Sequence, residues 1–295
     1  MPRSWDLSST ECGAGREQPG PSSAFAERIR GIVRVVLRRH RPVTLLAFVL
    51  MSALGGAACE RSTSPDAAAE GPLTLDRLED GDGAKASGAA LMALPLGLHR
   101  LDTTEPAPTH AVIAVHGYDS GGYEWVHPVK ALGRDGKARV FFHRYDWNQC
   151  PEPVATALGR TIDELLAAEP ELASIQLVGH SYGGVVAALV ASQYRGRVPL
   201  VADLVASPLG GHPGIASSCS YAGAVAPPTG APVTLRQWRT RKELDGAFSD
   251  LDVDPQVVDL PGEVTVLPET YQGHRLGHNW SISWVVDHLA GGAAP

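Results

Sequence analysis

The stretch Ile175-Gln-Leu-Val-Gly-His-Ser-Tyr-Gly-Gly-Val-Val-Ala-Ala-Leu-Val190 decides the fold. It opens as a short apolar run, breaks at Gly179-His-Ser-Tyr-Gly183, and resumes with small and apolar residues. The break reads G-x-S-x-G, the pattern of a strand that turns sharply into a helix and leaves a serine at the apex. Such a turn brings backbone against backbone, so Gly179 and Gly183 stand where a Cβ would collide. The pattern predicts a buried strand over 174–178. It predicts a helix over 185–194 that is apolar nearly all round, as a helix pressed on a central sheet is. Ser181 is then the candidate nucleophile, projecting from the C-terminal edge of a sheet.

Working outward, apolar runs alternate with helical patterns, which predicts βαβ units and a mostly parallel sheet with helices on both faces. Strands are expected over 96–101, 111–115, 138–143, 198–206, 232–238 and 264–267. Residues 123–132 read as a helix interrupted by Pro128 and closed by Gly133. Residues 154–168 are amphipathic, with Leu158, Ile162, Leu165 and Leu166 on one side, and 281–289 form a terminal helix. The long run 207–231, rich in Gly, Pro, Ala and Ser, is expected to be a lid-like insert, since loops of that length are usually functional.

Charge narrows the function. The net charge is -7, but residues 1–59 hold eight Lys/Arg against four Asp/Glu, while 60–295 hold 17 against 28. An acidic body argues against nucleic acid, whose phosphates demand a basic face. No His/Cys cluster has zinc spacing and no glycine loop has the phosphate-cradling pattern, so neither a metal nor a cofactor is expected.

The segments "VHGYDSGG" (115–122) and "LVGHSYGG" (177–184), with a histidine just before the last helix, resemble the α/β-hydrolase superfamily, lipase and esterase branch. The resemblance covers 111–290. It implies an α/β-hydrolase fold and a Ser-His-Asp triad that cleaves carboxylic esters through an acyl-enzyme. It also implies an oxyanion hole from the backbone N–H of Tyr182, after the serine, and of Tyr118, after His116-Gly117. The base belongs in the loop 271–280. His278 has the place directly before the final helix, with His274 as the rival, and His288 reads as a surface residue of that helix. The acid belongs between serine and histidine. Asp245, followed three residues later by Phe248, fits best, with Asp252 as the alternative within the acidic run 250–254. A non-enzymatic exported lipoprotein that uses this fold as a binding module is the competing reading.

The N-terminus reads as a targeting segment. Arg34, Arg38, Arg39 and Arg41 precede an uncharged run over 43–54, too short to span a bilayer comfortably. Gly55-Gly-Ala-Ala-Cys59 resembles a bacterial lipoprotein signal, in which Cys59 would be lipidated. Ordinary secretory cleavage and a retained anchor stay open, and each puts the body outside the cytoplasm. Membrane contact is expected only through that anchor. The expected domains are 1–59 as extension and signal, 60–88 as a flexible tether, and 89–295 as the hydrolase domain. With Cys12 removed and Cys59 lipidated, Cys150 and Cys219 are left as one pair in an oxidising compartment, and a disulfide between them is expected.

Overall fold

The computed structural model describes residues 71–291; the signal, Cys59 and the tether over 60–70 lie outside the described residues. Seven strands form one sheet. They are β1 (Gly97–Arg100), β2 (His110–Val115), β3 (Arg139–Arg144), β4 (Ser174–His180), β5 (Leu200–Val205), β6 (Val233–Arg239) and β7 (Glu263–Val266). Their spatial order is β1-β3-β2-β4-β5-β6-β7, and only β1 runs antiparallel to its neighbour. The fold is an α/β-hydrolase fold with a mostly parallel sheet.

The apolar runs follow from burial on both faces. On β2, Ala111, Ile113 and Val115 enter one core, and Val112 and Ala114 enter the other. The first core is closed by α3 (Pro151–Ala168) and α4 (Tyr182–Gln193). The second is closed by α1 (Ala84–Ala93), α2 (Tyr123–Gly133) and α6 (Trp280–Leu289). The parallel register, with Val115 beside Gly179 and Gly179 beside Leu204, brings the C-terminal ends of the strands to one edge. Everything described below stands on that edge.

Two expectations are corrected. Pro128 lies inside α2 without ending it, because Trp125, Val126 and Val129 on the same helix are buried and hold it in place. The tether does not run to Gly88. Leu78 and Leu91 are buried in the second core, Leu75 N–H donates to the Leu101 carbonyl (2.8 Å), and Lys130 Nζ donates to the Leu78 carbonyl (2.9 Å). Averaged composition hides the leucines at 73, 75 and 78 that anchor this segment. The insert 207–231 is mostly irregular and carries a single helical turn, α5 (Pro213–Ala216), with Ile215 and Tyr221 buried beneath it. Among the described residues, no helix is long and apolar enough to cross a membrane.

Candidate active site

The turn between β4 and α4 is built as its glycines require. A Cβ on Gly179 would lie 2.5 Å from the Gly183 carbonyl oxygen, and one on Gly183 would overlap the Val115 carbonyl. Ser181 sits at φ 56 and ψ -123, in the left-handed half of backbone space that a side chain ordinarily avoids. The surrounding strands hold it there, since Ser181 N–H donates to the Val205 carbonyl (2.9 Å). Ser181 is half-buried.

The loop after β2 approaches this apex, and a Cβ on Gly117 would come 3.2 Å from Ser181 Cβ. Neither Tyr118 N–H nor Tyr182 N–H is used in a hydrogen bond among the described residues, the latter because it opens α4. His116 is buried and serves the loop. Tyr145 stacks on its ring at 4.2 Å and donates to its carbonyl (2.5 Å), and burial pushes its pKa down to about 4.

His278 precedes α6 with 18% of its side chain exposed. Its Nδ1 lies 3.0 Å from Asp245 Oδ2 and 2.9 Å from Oδ1. A carboxylate only accepts, so Nδ1 carries the hydrogen and Nε2 is left as the acceptor. Asp245 follows β6 and is fully buried. Burial alone would raise its pKa. The hydrogen bond and charge of His278, with bonds from Thr240 Oγ1 (2.5 Å) and Ala247 N–H (2.9 Å), outweigh that and hold it below the usual carboxylate range. Phe248, buried, sets its ring edge-on to the imidazole at 5.1 Å. Among the described residues no hydrogen bond joins His278 to Ser181 Oγ, although the ring of His180, next to Ser181, is only 4.8 Å from that of His278.

The rivals fall elsewhere. His274 stacks on Trp280 and is exposed, His288 stacks on Trp284 on the outer face of α6, and Asp252 is exposed in its loop. Cys150 and Cys219 are bonded to each other and tie the insert to the start of α3.

Sequence reasoning missed several supports. His180 Nε2 donates to the His278 carbonyl (2.9 Å), and Ser281 Oγ donates to the same oxygen (2.5 Å). Burial lowers the His180 pKa to about 3, so it remains a neutral donor. Thr240 and Glu124 carried no sequence signal. Ser120 Oγ donates to the Glu124 carboxylate, whose pKa burial raises.

Residues 112–291 match the family model described as "Alpha/beta hydrolase family". The chain belongs to the α/β-hydrolase family. No curated protein sequence matches it. Among solved structures, this family member is similar to Est1E from Butyrivibrio proteoclasticus at 12% identity, over 66% of this chain and 91% of that one, with a TM-score of 0.46. It is similar to the Pyrococcus furiosus esterase Pf2001 at 15% identity, over 62% and 80%, with a TM-score of 0.43. A third is LpqC, a poly(3-hydroxybutyrate) depolymerase from Bordetella parapertussis, at 12% identity, over 67% and 84%, with a TM-score of 0.43. Family membership supports a hydrolase.

Proposed function

We propose that the protein is an exported serine hydrolase that cleaves carboxylic esters, with Ser181 as nucleophile, His278 as base and Asp245 as its partner. The observation that carries the reading is the pairing of a buried, ionised Asp245 with His278 Nδ1, at the sheet edge where a strained Ser181 stands. His278 Nε2 takes the Ser181 proton as Oγ attacks the carbonyl carbon. The tetrahedral oxyanion is held by the free N–H groups of Tyr118 and Tyr182. The intermediate collapses, and the leaving alcohol departs with the proton from Nε2. Water then loses a proton to Nε2, attacks the acyl-Ser181 ester, and the acid leaves as Oγ recovers its hydrogen. The missing Ser181–His278 hydrogen bond is compatible with this chemistry, because such bonds tighten as substrate binds.

A fluorophosphonate tests the assignment. Ser181 is expected to carry the adduct by mass spectrometry, and Ser181→Ala to lose it together with turnover of chromogenic esters. Undiminished labelling of the alanine variant would refute the nucleophile. No turnover across acyl lengths, with no labelling at all, would hand the protein to the binding-module reading. Export belongs to the same proposal. Labelled fatty acid should enter the protein at Cys59 and be absent from Cys59→Ser, and a cytoplasmic, unprocessed chain would refute it.

A further inference from the structure

The family match begins at Val112, yet α1, well before it, meets the backbone of the candidate site. Gly88 of α1 lies directly on the loop 117–122. A Cβ on Gly88 would overlap Tyr123 N and lie 2.6 Å from Tyr123 Cα, and one on Gly122 would overlap the Gly88 carbonyl and lie 2.9 Å from Met92 Cγ. Gly122 has φ 76 and caps α2, so it closes the loop and starts the helix at one point. From the other side Gly122 N–H donates to Ser120 Oγ (3.1 Å), which in turn donates to Glu124. The loop is thereby gripped four residues from Tyr118. The helix α1 is itself fixed. Leu91 is buried, Arg144 Nε donates to the Met92 carbonyl (2.9 Å), and Ser87 Oγ accepts from Glu79 N–H (2.7 Å).

We infer that α1 is a positioning element for hydrolysis. Seated on Gly122, it sets the loop that presents Tyr118 N–H to the oxyanion. The inference builds on the hydrolytic reading above. A single oxyanion donor is worth about 10²- to 10³-fold in kcat, and a donor displaced by about an ångström forfeits part of that. The loss falls on kcat because the donor is used more in the transition state than in the ground state.

The test uses the full chain with Gly88→Ala, which wedges α1 off the loop, and Met92→Ala, which keeps α1 but removes the side chain against Gly122. Competent serine is titrated with a fluorophosphonate, kcat and KM are measured per titrated site, and amide exchange is followed at 117–123 and at 179–184. For Gly88→Ala, kcat is expected to fall about 10- to 100-fold with KM within about threefold, and for Met92→Ala about 3- to 10-fold. Exchange should rise at 117–123 and not at 179–184. A lowered Tm with unchanged kcat per titrated site and unchanged loop exchange would overturn the inference, leaving α1 a purely stabilising helix. If Gly88→Ala does not fold, Met92→Ala decides alone. If the wild type turns over no ester, the hydrolytic reading fails, and the exchange measurement still decides whether α1 sets the loop.

Discussion

Replacing His143 by phenylalanine should make the protein more resistant to acid. His143 on β3 is 5% exposed, burial pushes its pKa down to about 4, and its approach to the Gly97 backbone falls short of a hydrogen bond. Unfolded, the same imidazole titrates near 6.5. A folded pKa below the unfolded one means that the unfolded chain takes up the proton first. The stability is therefore intact above about 6.5, falls as pH drops below it, and is fully lost near 4. At pH 5 the unfolded state gains about 1.5 pH units of protonation free energy, about 2 kcal/mol, that the folded state cannot match. A phenylalanine there carries no such penalty. It leaves no donor unpaired and keeps a planar ring 5.5 Å from Tyr145. In urea titrations at pH 7.5 the larger ring is expected to shift stability by about 1–3 kcal/mol at most, an offset that does not vary with pH. Between pH 7.5 and 5 it should gain about 2 kcal/mol on wild type. Parallel stability curves for the two proteins over that range would refute burial as the cause of the lowered pKa. His116 and His180 have the same sign, so wild type should lose stability steeply over the same window.

The remaining expectations concern the site and its scaffold. His278→Ala and Asp245→Asn should each lower kcat by about 10³- to 10⁴-fold without the losses adding, while His274→Ala and Asp252→Ala stay within a few-fold, in steady-state ester assays. Reducing the Cys150–Cys219 bond closes no loop in the unfolded chain and should cost about 2–4 kcal/mol, read as a lowered Tm in calorimetry with and without reductant. Asp203 on β5 is fully buried and accepts from Gln176 Nε2 (2.7 Å), Arg236 (2.8 Å) and Trp238 Nε1 (2.7 Å). Asp203→Ala strands those donors and should cost about 3–5 kcal/mol in urea unfolding at pH 7.

What was legible in the sequence was local. Strands buried on both faces read as continuous apolar runs, and Gly179 is forced by its contact with Gly183 inside the turn, so strand order along the chain and the elbow at Ser181 could be read directly, although the contact that forces Gly183 is with Val115 and His116 on the neighbouring strand and its loop. Asp245 could be singled out from its neighbours because the end of β6 and the apolar residue after it fix a short stretch of chain. What could not be read was contact between residues far apart. His180 carries no local signal of its role, because its Nε2 donates to the carbonyl of a residue 98 positions later. Thr240 shares Asp245 with His278, and no periodicity announces a hydroxyl five residues before a carboxylate. The tether was misread for the same reason: residues 71–88 are polar and small on average, and only the fold shows that their few leucines have a core to enter. These supports explain why one histidine of the loop, and not the other, has a fixed direction. The backbone of His278 is held by His180 and Ser281 at its carbonyl, and its ring by Asp245 at Nδ1 and by Phe248, so rotation about its side chain would break the Asp245 and Phe248 contacts while the backbone stays fixed. His274 has only the face of Trp280. The proposed general base must keep one nitrogen aimed at one oxygen, and of the two histidines only His278 has its ring fixed by a carboxylate on its other nitrogen.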